Sequence, residues 1–328
     1  MINIGLNITQ NKGRYEIFLN QIKKGLKDYQ QCTFIDVSHP DLLDKHISKL
    51  NILLTYGINQ NSFKLVNDQL KWIHFGVAGV EESLFPDLIK SKVMLSNCSG
   101  IHVGPVSEFI MGAILYHCKR FDACHDFKNT QDWKQWDIAK TMIQLKNKTL
   151  GIIGYGQIGK STAQKAKQFG MNVIATRRLQ KNVTSSRFVD QLIPVSEIKT
   201  LYQESDFIAI TCPLTPLTRG MISDNEFALM KNNAYLINIA RGPIINEDSM
   251  IKALESDQIS GAALDVFDKE PLPPKHPYFK FKNLFLSPHI SGNFPEYQYD
   301  MIEQFIDNLK RFLNGKAIKN RICKKRLY

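Results

Sequence analysis

The chain is poor in cysteine, with six in 328 residues and no Cys-x-x-Cys. Cys32, Cys98, Cys118, Cys124, Cys212 and Cys323 are scattered, and the close pairs His117-Cys118 and Cys124-His125 lack the ligand spacing of a zinc module. Reduced thiols, no disulfide framework and no metal site are therefore expected. Long apolar runs are also missing. The longest, Phe109–Cys118, falls well short of the ~20 residues a membrane span needs. No N-terminal stretch couples a basic region to an apolar run and a small-residue cleavage site, so a cytoplasmic protein with no membrane contact is expected. Short-period repeats and low-complexity segments are absent. Acid is scarce relative to base, and the net charge is +11. Six of those charges (Lys316, Lys319, Arg321, Lys324, Lys325 and Arg326) lie in the acid-free segment Asn314–Tyr328, which leaves +5 on the rest. An excess so localised reads as a solvated basic tail rather than a polyanion-binding surface, and nucleic acid is not the expected partner.

What is present suits a folded α/β protein. Hydrophobic residues make up 43% and charged residues 22% of the chain, and its length exceeds what one core usually supports, so two domains are expected. Over residues 1–100, short apolar runs (Ile2–Ile8, Cys32–Val37, Ile52–Tyr56, Trp72–Phe75, Val93–Leu95) alternate with helix-length intervals. That rhythm predicts βα units and a mainly parallel sheet. A longer helix is predicted from near Pro105 through Phe109–Cys118, because proline suits a first helical turn. The polar segment His125–Leu145, with Trp133 and Trp136, reads as a connection. From Thr149 the rhythm restarts with Leu150–Ile153, Asn172–Ala175, Phe207–Thr211, Tyr235–Ile239, Gly261–Val266 and Leu284–Ser287. Helices are predicted between most of these, as at Gly159–Phe169 and Glu247–Leu254. The implied architecture is two doubly wound parallel sheets.

Gly154, Gly156 and Gly159 form G-x-G-x-x-G directly after a buried strand and directly before an amphipathic helix. The first glycine permits a tight turn, the second lets backbone approach a pyrophosphate, and the third lets helix and strand pack closely. The following helix N-terminus offers N–H groups and partial positive charge to phosphates. Gly154, Tyr155, Gly156, Gln157, Ile158 and Gly159 are thus candidate dinucleotide-binding residues. The second strand should carry an acid about 20 residues past the motif if it holds a ribose 2′-hydroxyl. Here it runs into Thr176-Arg177-Arg178, with Lys181 close by and no acid until Asp190. A carboxylate repels a 2′-phosphate and a guanidinium pairs with it, so NADP(H) is favoured over NAD(H), with NAD(H) still possible.

Three strand-ending segments each offer a reactive side chain: Ile237-Asn238-Ile239-Ala240-Arg241-Gly242, Ala263-Leu264-Asp265-Val266-Phe267-Asp268-Lys269-Glu270-Pro271, and Leu286-Ser287-Pro288-His289-Ile290-Ser291-Gly292. In open α/β sheets the ligand crevice lies at the carboxyl ends of the strands. Reduction of a 2-oxo acid needs a cation for the carboxylate and ketone, a proton donor for the forming alkoxide, and a hydride from the cofactor. The planar fork of Arg241 suits the first role and the near-neutral pKa of histidine suits His289 to the second. Glu270 would orient the imidazole and favour its protonated form. Taken singly, each has a bland reading as salt bridge, loop carboxylate or cap; their joint occurrence behind a dinucleotide motif favours the catalytic one.

Taken together, the glycine motif, Asn238-Ile-Ala-Arg241-Gly242, Asp265-Val-Phe-Asp-Lys-Glu270-Pro271 and Ser287-Pro-His289-Ile resemble the D-isomer-specific 2-hydroxyacid dehydrogenases. So do Gly76-Val77-Ala78-Gly79-Val80, Val106-Ser107-Glu108-Phe109 and Pro213-Leu214-Thr215-Pro216-Leu217-Thr218. The similarity runs from about Trp72 to Gly292. It implies Arg241, Glu270 and His289 as the catalytic trio and the N–H groups of Val77, Ala78 and Gly79 as the carboxylate site. It also implies cofactor contacts at Cys212, Pro213, Leu214, Thr218, Ile239, Ala240, Asp265, His289, Ser291 and Gly292, besides Thr176, Arg177 and Arg178. The implied fold is a Rossmann cofactor domain (101–292) inserted into a flavodoxin-like substrate domain (1–100 and 293–328). A homodimer through the helices around Val106–His117 and the loop after them is implied as well. Thr-Arg-Arg resembles the NADPH-preferring glyoxylate/hydroxypyruvate reductase branch, and Glu270, where formate dehydrogenases usually have glutamine, argues against that activity. His74 and Glu81 depart from the residues common around the carboxylate loop, and with Tyr56, Ile58 and Trp133 they bear on substrate size. The competing reading is a non-catalytic nucleotide-sensing regulator on the same fold.

Overall fold

The computed structural model describes residues 1–326, which divide into two compact units, Met1–Ile101 with Phe294–Tyr328, and His102–Asn293. Leu327 and Tyr328, the end of the basic segment, lie outside the described residues.

The first unit holds β1 (Ile2–Asn7), β2 (Cys32–Asp36), β3 (Ile52–Thr55), β4 (Trp72–Phe75) and β5 (Met94–Asn97). They form one parallel sheet in the order β2-β1-β3-β4-β5, the flavodoxin-like order. Strands β3 and β4 are buried along their whole length, because helices cover both faces of the sheet and leave no polar side to alternate toward. One face packs against the helix Tyr297–Leu313. Its buried residues Met301, Ile302, Phe305, Ile306 and Leu309 recur at helical spacing and meet Ile4, Leu6, Ile52, Leu54 and Trp72. Trp72 stacks on Phe305 and Phe312, at 5.6 and 5.5 Å between ring centroids. The C-terminal stretch of the chain therefore completes the core begun by its first hundred residues.

The second unit holds β6 (Thr149–Ile153), β7 (Asn172–Thr176), β8 (Thr184–Ser186), β9 (Val189–Ile193), β10 (Phe207–Ile210), β11 (Tyr235–Asn238), β12 (Gly261–Leu264) and β13 (Leu284–Leu286). Their order is β13-β12-β11-β10-β6-β7-β9-β8, parallel except for the β8–β9 hairpin. The chain moves one way from β6 through β7 to β9 and the other way from β10 to β13. The switch point thus falls between β6 and β10, where a ligand crevice is expected at the carboxyl ends. Apolar clusters line both faces of this sheet.

Three sequence expectations needed correction. Strands β8 and β9 were not predicted: Thr184–Ser186 is exposed throughout, and Val189–Ile193 interrupts its apolar pattern with Asp190 and Gln191. The segment expected to be a connection contains helices Phe121–Thr130 and Gln135–Ala139; neither buries a residue, so no apolar stripe betrays them. The basic tail is not a solvated strand of charge as far as it is described. Ile318 and Ile322 are buried, the Ile322 N–H donates to Leu95 O (2.9 Å), and Arg321 pairs antiparallel with Ser96. The Lys324 ammonium donates to Leu88 O (3.0 Å) and Ser91 O (2.8 Å) at the end of helix Pro86–Lys90. Lysine at a helix C-terminus satisfies carbonyls that the helix leaves open. Two apolar residues spaced four apart inside a basic run are the signal that net charge obscured.

Candidate active site

The turn after β6 shows why the three glycines stand where they do. Gly154 has φ +106°, and a Cβ there would lie 2.8 Å from the backbone nitrogen of Cys212. At Gly159 a Cβ would meet Gly154 O at 2.5 Å, whereas at Gly156 it would meet nothing within 4 Å. The first and third glycines are therefore demanded by packing within the unit. The second is demanded by nothing in the chain, as expected where a ligand's phosphate is to approach backbone. Gly156 caps the helix Gln157–Gln168, whose first N–H groups have no intrahelical acceptor. Thr211 Oγ1 donates to Gly154 O (2.7 Å), and Thr176 Oγ1 accepts from the Gly154 N–H (3.2 Å). Thr176 is buried, so its side chain holds the turn, while Arg177 and Arg178 just beyond it are exposed. Asp190 does not replace the missing acid. It accepts from the Val173 N–H (2.7 Å) and pairs with Lys167 (2.9 Å), at the start of β7 rather than its end. These residues fit a dinucleotide, and Arg177 and Arg178 follow β7 with no acid beside them in sequence.

The loop after β10 closes on itself through Thr218, whose hydroxyl donates to Pro213 O (2.8 Å) and accepts from the Thr215 N–H (2.8 Å). Burial pushes the Cys212 thiol up to about 12, so it stays protonated beside the glycine turn. Leu214 packs against the core behind this loop.

Arg241 follows β11 on a turn set by the buried Asn238, which accepts from the Ala240 N–H (3.1 Å) and donates to Arg241 O (3.0 Å). Ile239 is buried inside the turn, and Arg241 Nη1 donates to Ala240 O (2.7 Å). Gly242 packs directly on the next segment: a Cβ there would lie 1.9 Å from the Phe267 carbonyl carbon. Without glycine at 242, the loops carrying Arg241 and Glu270 could not approach this closely. Glu270 Oε1 accepts from the Phe267 N–H (3.0 Å) and Oε2 lies 2.7 Å from His289 Nδ1. Both carboxylate oxygens are engaged, so the imidazole is oriented by a group that is itself held. Nδ1 faces the carboxylate, and His289 is half exposed.

His289 has φ +54°, a left-handed conformation costly for a residue with a side chain. Asp265 holds it there. Fully buried, it accepts from Ser287 Oγ (2.6 Å), the Ile290 N–H (2.8 Å) and the Ser291 N–H (2.9 Å), spanning the histidine on both sides. His102 Nδ1 meets Gly292 O at 2.9 Å at the far end of the loop.

In the other unit, Val77, Ala78 and Gly79 follow β4 in a half-buried loop, and none of their N–H groups donates a hydrogen bond among the described residues. His74 lies on β4, just before this loop. It is fully buried, with Nδ1 2.7 Å from Ser96 Oγ and Nε2 3.5 Å from Cys98 Sγ, and burial lowers its pKa to about 3. It is a core residue. Ile58 is likewise buried, the Tyr56 hydroxyl accepts from Gln298 Nε2 (2.8 Å), and Trp133 is 74% exposed. Among the described residues, no group of three or more His, Cys, Asp or Glu could hold a metal, and no helix is long and apolar enough to cross a membrane.

A Rossmann-type sheet with this glycine turn and an Arg–Glu–His constellation at its strand ends defines a class, the nicotinamide-dependent oxidoreductases. Residues 111–291 match the family model "D-isomer specific 2-hydroxyacid dehydrogenase, NAD binding domain", and the chain belongs to that family. It is similar to glyoxylate reductase of Thermococcus litoralis, 32% identical over 93% of this chain and 94% of the relative. A solved D-isomer specific 2-hydroxyacid dehydrogenase family protein from Aeromonas salmonicida superposes with TM-score 0.85 at 25% identity, covering 98% of this chain and 99% of that one. The NADPH-dependent glyoxylate/hydroxypyruvate reductase of Sinorhizobium meliloti, solved with NADP and sulfate, superposes over the whole of both chains with TM-score 0.84 at 22% identity. The chain is thus an NAD(P)-dependent oxidoreductase, a 2-hydroxyacid dehydrogenase.

Proposed function

We propose that this enzyme is an NADPH-preferring reductase of small 2-oxo acids of the glyoxylate/hydroxypyruvate type, the named activity of its relatives. The observation that carries the reading is the Glu270–His289 pair, 2.7 Å apart, on a loop fixed by Asp265. In this reading the unit His102–Asn293 holds the cofactor through Gly154–Gly159, Arg177, Arg178, the Cys212–Leu214 loop and Thr218. The other unit binds substrate. Bound reduced nicotinamide supplies the hydride. The guanidinium of Arg241 engages the carboxylate and the ketone oxygen and stabilises charge developing on that oxygen. His289 delivers the proton from Nε2 while Glu270 stabilises the imidazolium through Nδ1. The N–H groups of Val77, Ala78 and Gly79 bind the substrate carboxylate, as successive free amides bind anions elsewhere.

Arg177 and Arg178 would pair with the 2′-phosphate, a bidentate contact that a ribose hydroxyl does not offer. A homodimer through the helix Val103–Cys118 and the segment after it fits the exposure of Phe121 (51%), Trp133 (74%) and Trp136 (71%), which lie close together in sequence. Light scattering on the purified protein tests that: a monomer mass contradicts it. The test of function is a panel of glyoxylate, hydroxypyruvate, pyruvate and longer 2-oxo acids with NADPH. Substrate-dependent NADPH oxidation with the short acids is expected, and none with any acid would overturn the reading.

A further inference from the structure

The loop proposed to bind the substrate carboxylate has a second property: each carbonyl beside its free N–H groups is tied down from within the same unit. Gly76 O accepts from the Tyr297 hydroxyl, Val77 O from the Cys98 N–H (3.0 Å), and Ala78 O from Asn97 Nδ2 (2.6 Å). A peptide unit is planar, so fixing a carbonyl fixes the direction of the N–H on the following residue. Tethering three successive carbonyls therefore aims the N–H groups of Val77, Ala78 and Gly79. Two of the three tethers come from the Asn97-Cys98 dipeptide at the end of β5, and only that of Asn97 is made by a side chain on that strand.

Asn97 is itself held on every side. It is 8% exposed, and Oδ1 accepts from the Ser99 N–H (3.2 Å), which fixes the amide so that Nδ2 faces Ala78 O. Its backbone N–H donates to Asn320 O (3.2 Å), and Asn320 Nδ2 donates to Ser99 O (2.6 Å). The basic C-terminal segment thus buttresses the residue that aims the loop.

We infer that Asn97 is a positioning residue for substrate binding, aiming the Gly79 N–H, the last of the three loop amides, toward the carboxylate of a 2-oxo acid through its hydrogen bond to Ala78 O. The inference rests on the proposed carboxylate role of those amides. An interaction with the carboxylate, which does not react, contributes equally to ground and transition states, so its loss raises KM and spares kcat. Asn97→Asp keeps the shape and the acceptor for Ser99 but sets an oxygen against Ala78 O. Asn97→Ala removes the donor without adding charge.

With NADPH saturating, the glyoxylate KM should rise at least tenfold in Asn97→Asp and about fivefold in Asn97→Ala. In both, kcat should stay within threefold, NADPH affinity within twofold and the melting temperature within a few degrees. Calorimetric titration of oxalate into the NADPH complex should show the same weakening without turnover. A KM within twofold of wild type in both variants, or kcat, NADPH affinity and melting temperature falling together with KM, overturns the inference. Oxalate binding equally to wild type and Asn97→Asp overturns it alone. A wild type that neither reduces 2-oxo acids nor binds oxalate overturns the carboxylate reading beneath it as well.

Discussion

In the proposed function the two units bind an anion in different ways. In His102–Asn293 the solution is written in side chains and glycines: Gly154, Gly156 and Gly159 shape a turn, Arg177 and Arg178 end the second strand, and Arg241, Glu270 and His289 end later ones. In Met1–Ile101 with its C-terminal complement, the candidate anion site is backbone alone, three N–H groups aimed by contacts to their carbonyls. A chemistry carried by side chains restricts residue identity at the site. A chemistry carried by backbone restricts it one layer behind, at Asn97 and Tyr297, where sequence gives no functional hint.

That contrast can be broken most sharply at His289. His289→Ala should lower kcat on the order of 10³-fold while NADPH affinity stays near wild type, because the proton donor is lost and the glycine turn is untouched. Steady-state kinetics with fluorescence titration of NADPH would check this, and retained turnover would remove the histidine from the chemistry. Next is the loop that carries it. Ser287→Ala removes one of three donors to the buried Asp265 carboxylate and should lower kcat roughly tenfold with little change in KM, since a hydrogen bond to a charged group contributes about 1.5–3 kcal/mol. An unchanged kcat would mean that the two backbone donors hold the loop unaided.

The glycines offer a paired comparison. Gly159→Ala forces a methyl against Gly154 O and should cost roughly 1–3 kcal/mol of stability, read from denaturant unfolding. Gly156→Ala meets open space and should leave stability within about 0.5 kcal/mol of wild type while weakening NADPH binding tenfold or more. Equal stability losses would show that both glycines serve packing only.

In the backbone-based unit the expected effect is on pH dependence. His74 is neutral in the fold down to about pH 3, whereas the unfolded chain protonates it near 6.5. Stability from this residue is therefore complete above about pH 6.5 and is lost as pH falls toward 3, at most ~1.4 kcal/mol per unit. Between pH 7 and 5 the unfolding free energy should drop by roughly 2 kcal/mol from this source. His74→Gln should show that much less dependence in urea titrations, while His117, lowered to about 4 by burial and by Arg120, keeps its own share.

These differences also explain what the sequence made legible. Eleven of the strands announced themselves as short apolar runs because both sheets are covered on both faces, so periodicity and burial coincide. Strand β8 and the helices Phe121–Thr130 and Gln135–Ala139 bury no residue, and β9, which does bury Val189, Leu192 and Ile193, breaks its apolar pattern at Asp190 and Gln191. The candidate site divides in the same way. Arg241, Glu270 and His289 follow strands and carry reactive groups, so residue type and position pointed together. The function of Gly242 in bringing two loops together, the Glu270–His289 pair and the Asp265 clamp depend on contacts 19 to 26 residues apart that no local pattern encodes. In the C-terminal segment charge stands for exposure, whereas Ile318 and Ile322 are buried there and backbone hydrogen bonds tie the segment to β5.

The most direct test compares NADPH and NADH as hydride donors to glyoxylate in the wild-type enzyme, as the ratio of their kcat/KM values. Arg177 and Arg178 at the end of β7, with Asp190 committed to Lys167 and Val173 at its start, lead to an expected preference for NADPH of tenfold or more. Equal use of the two cofactors, or a preference for NADH, would contradict it.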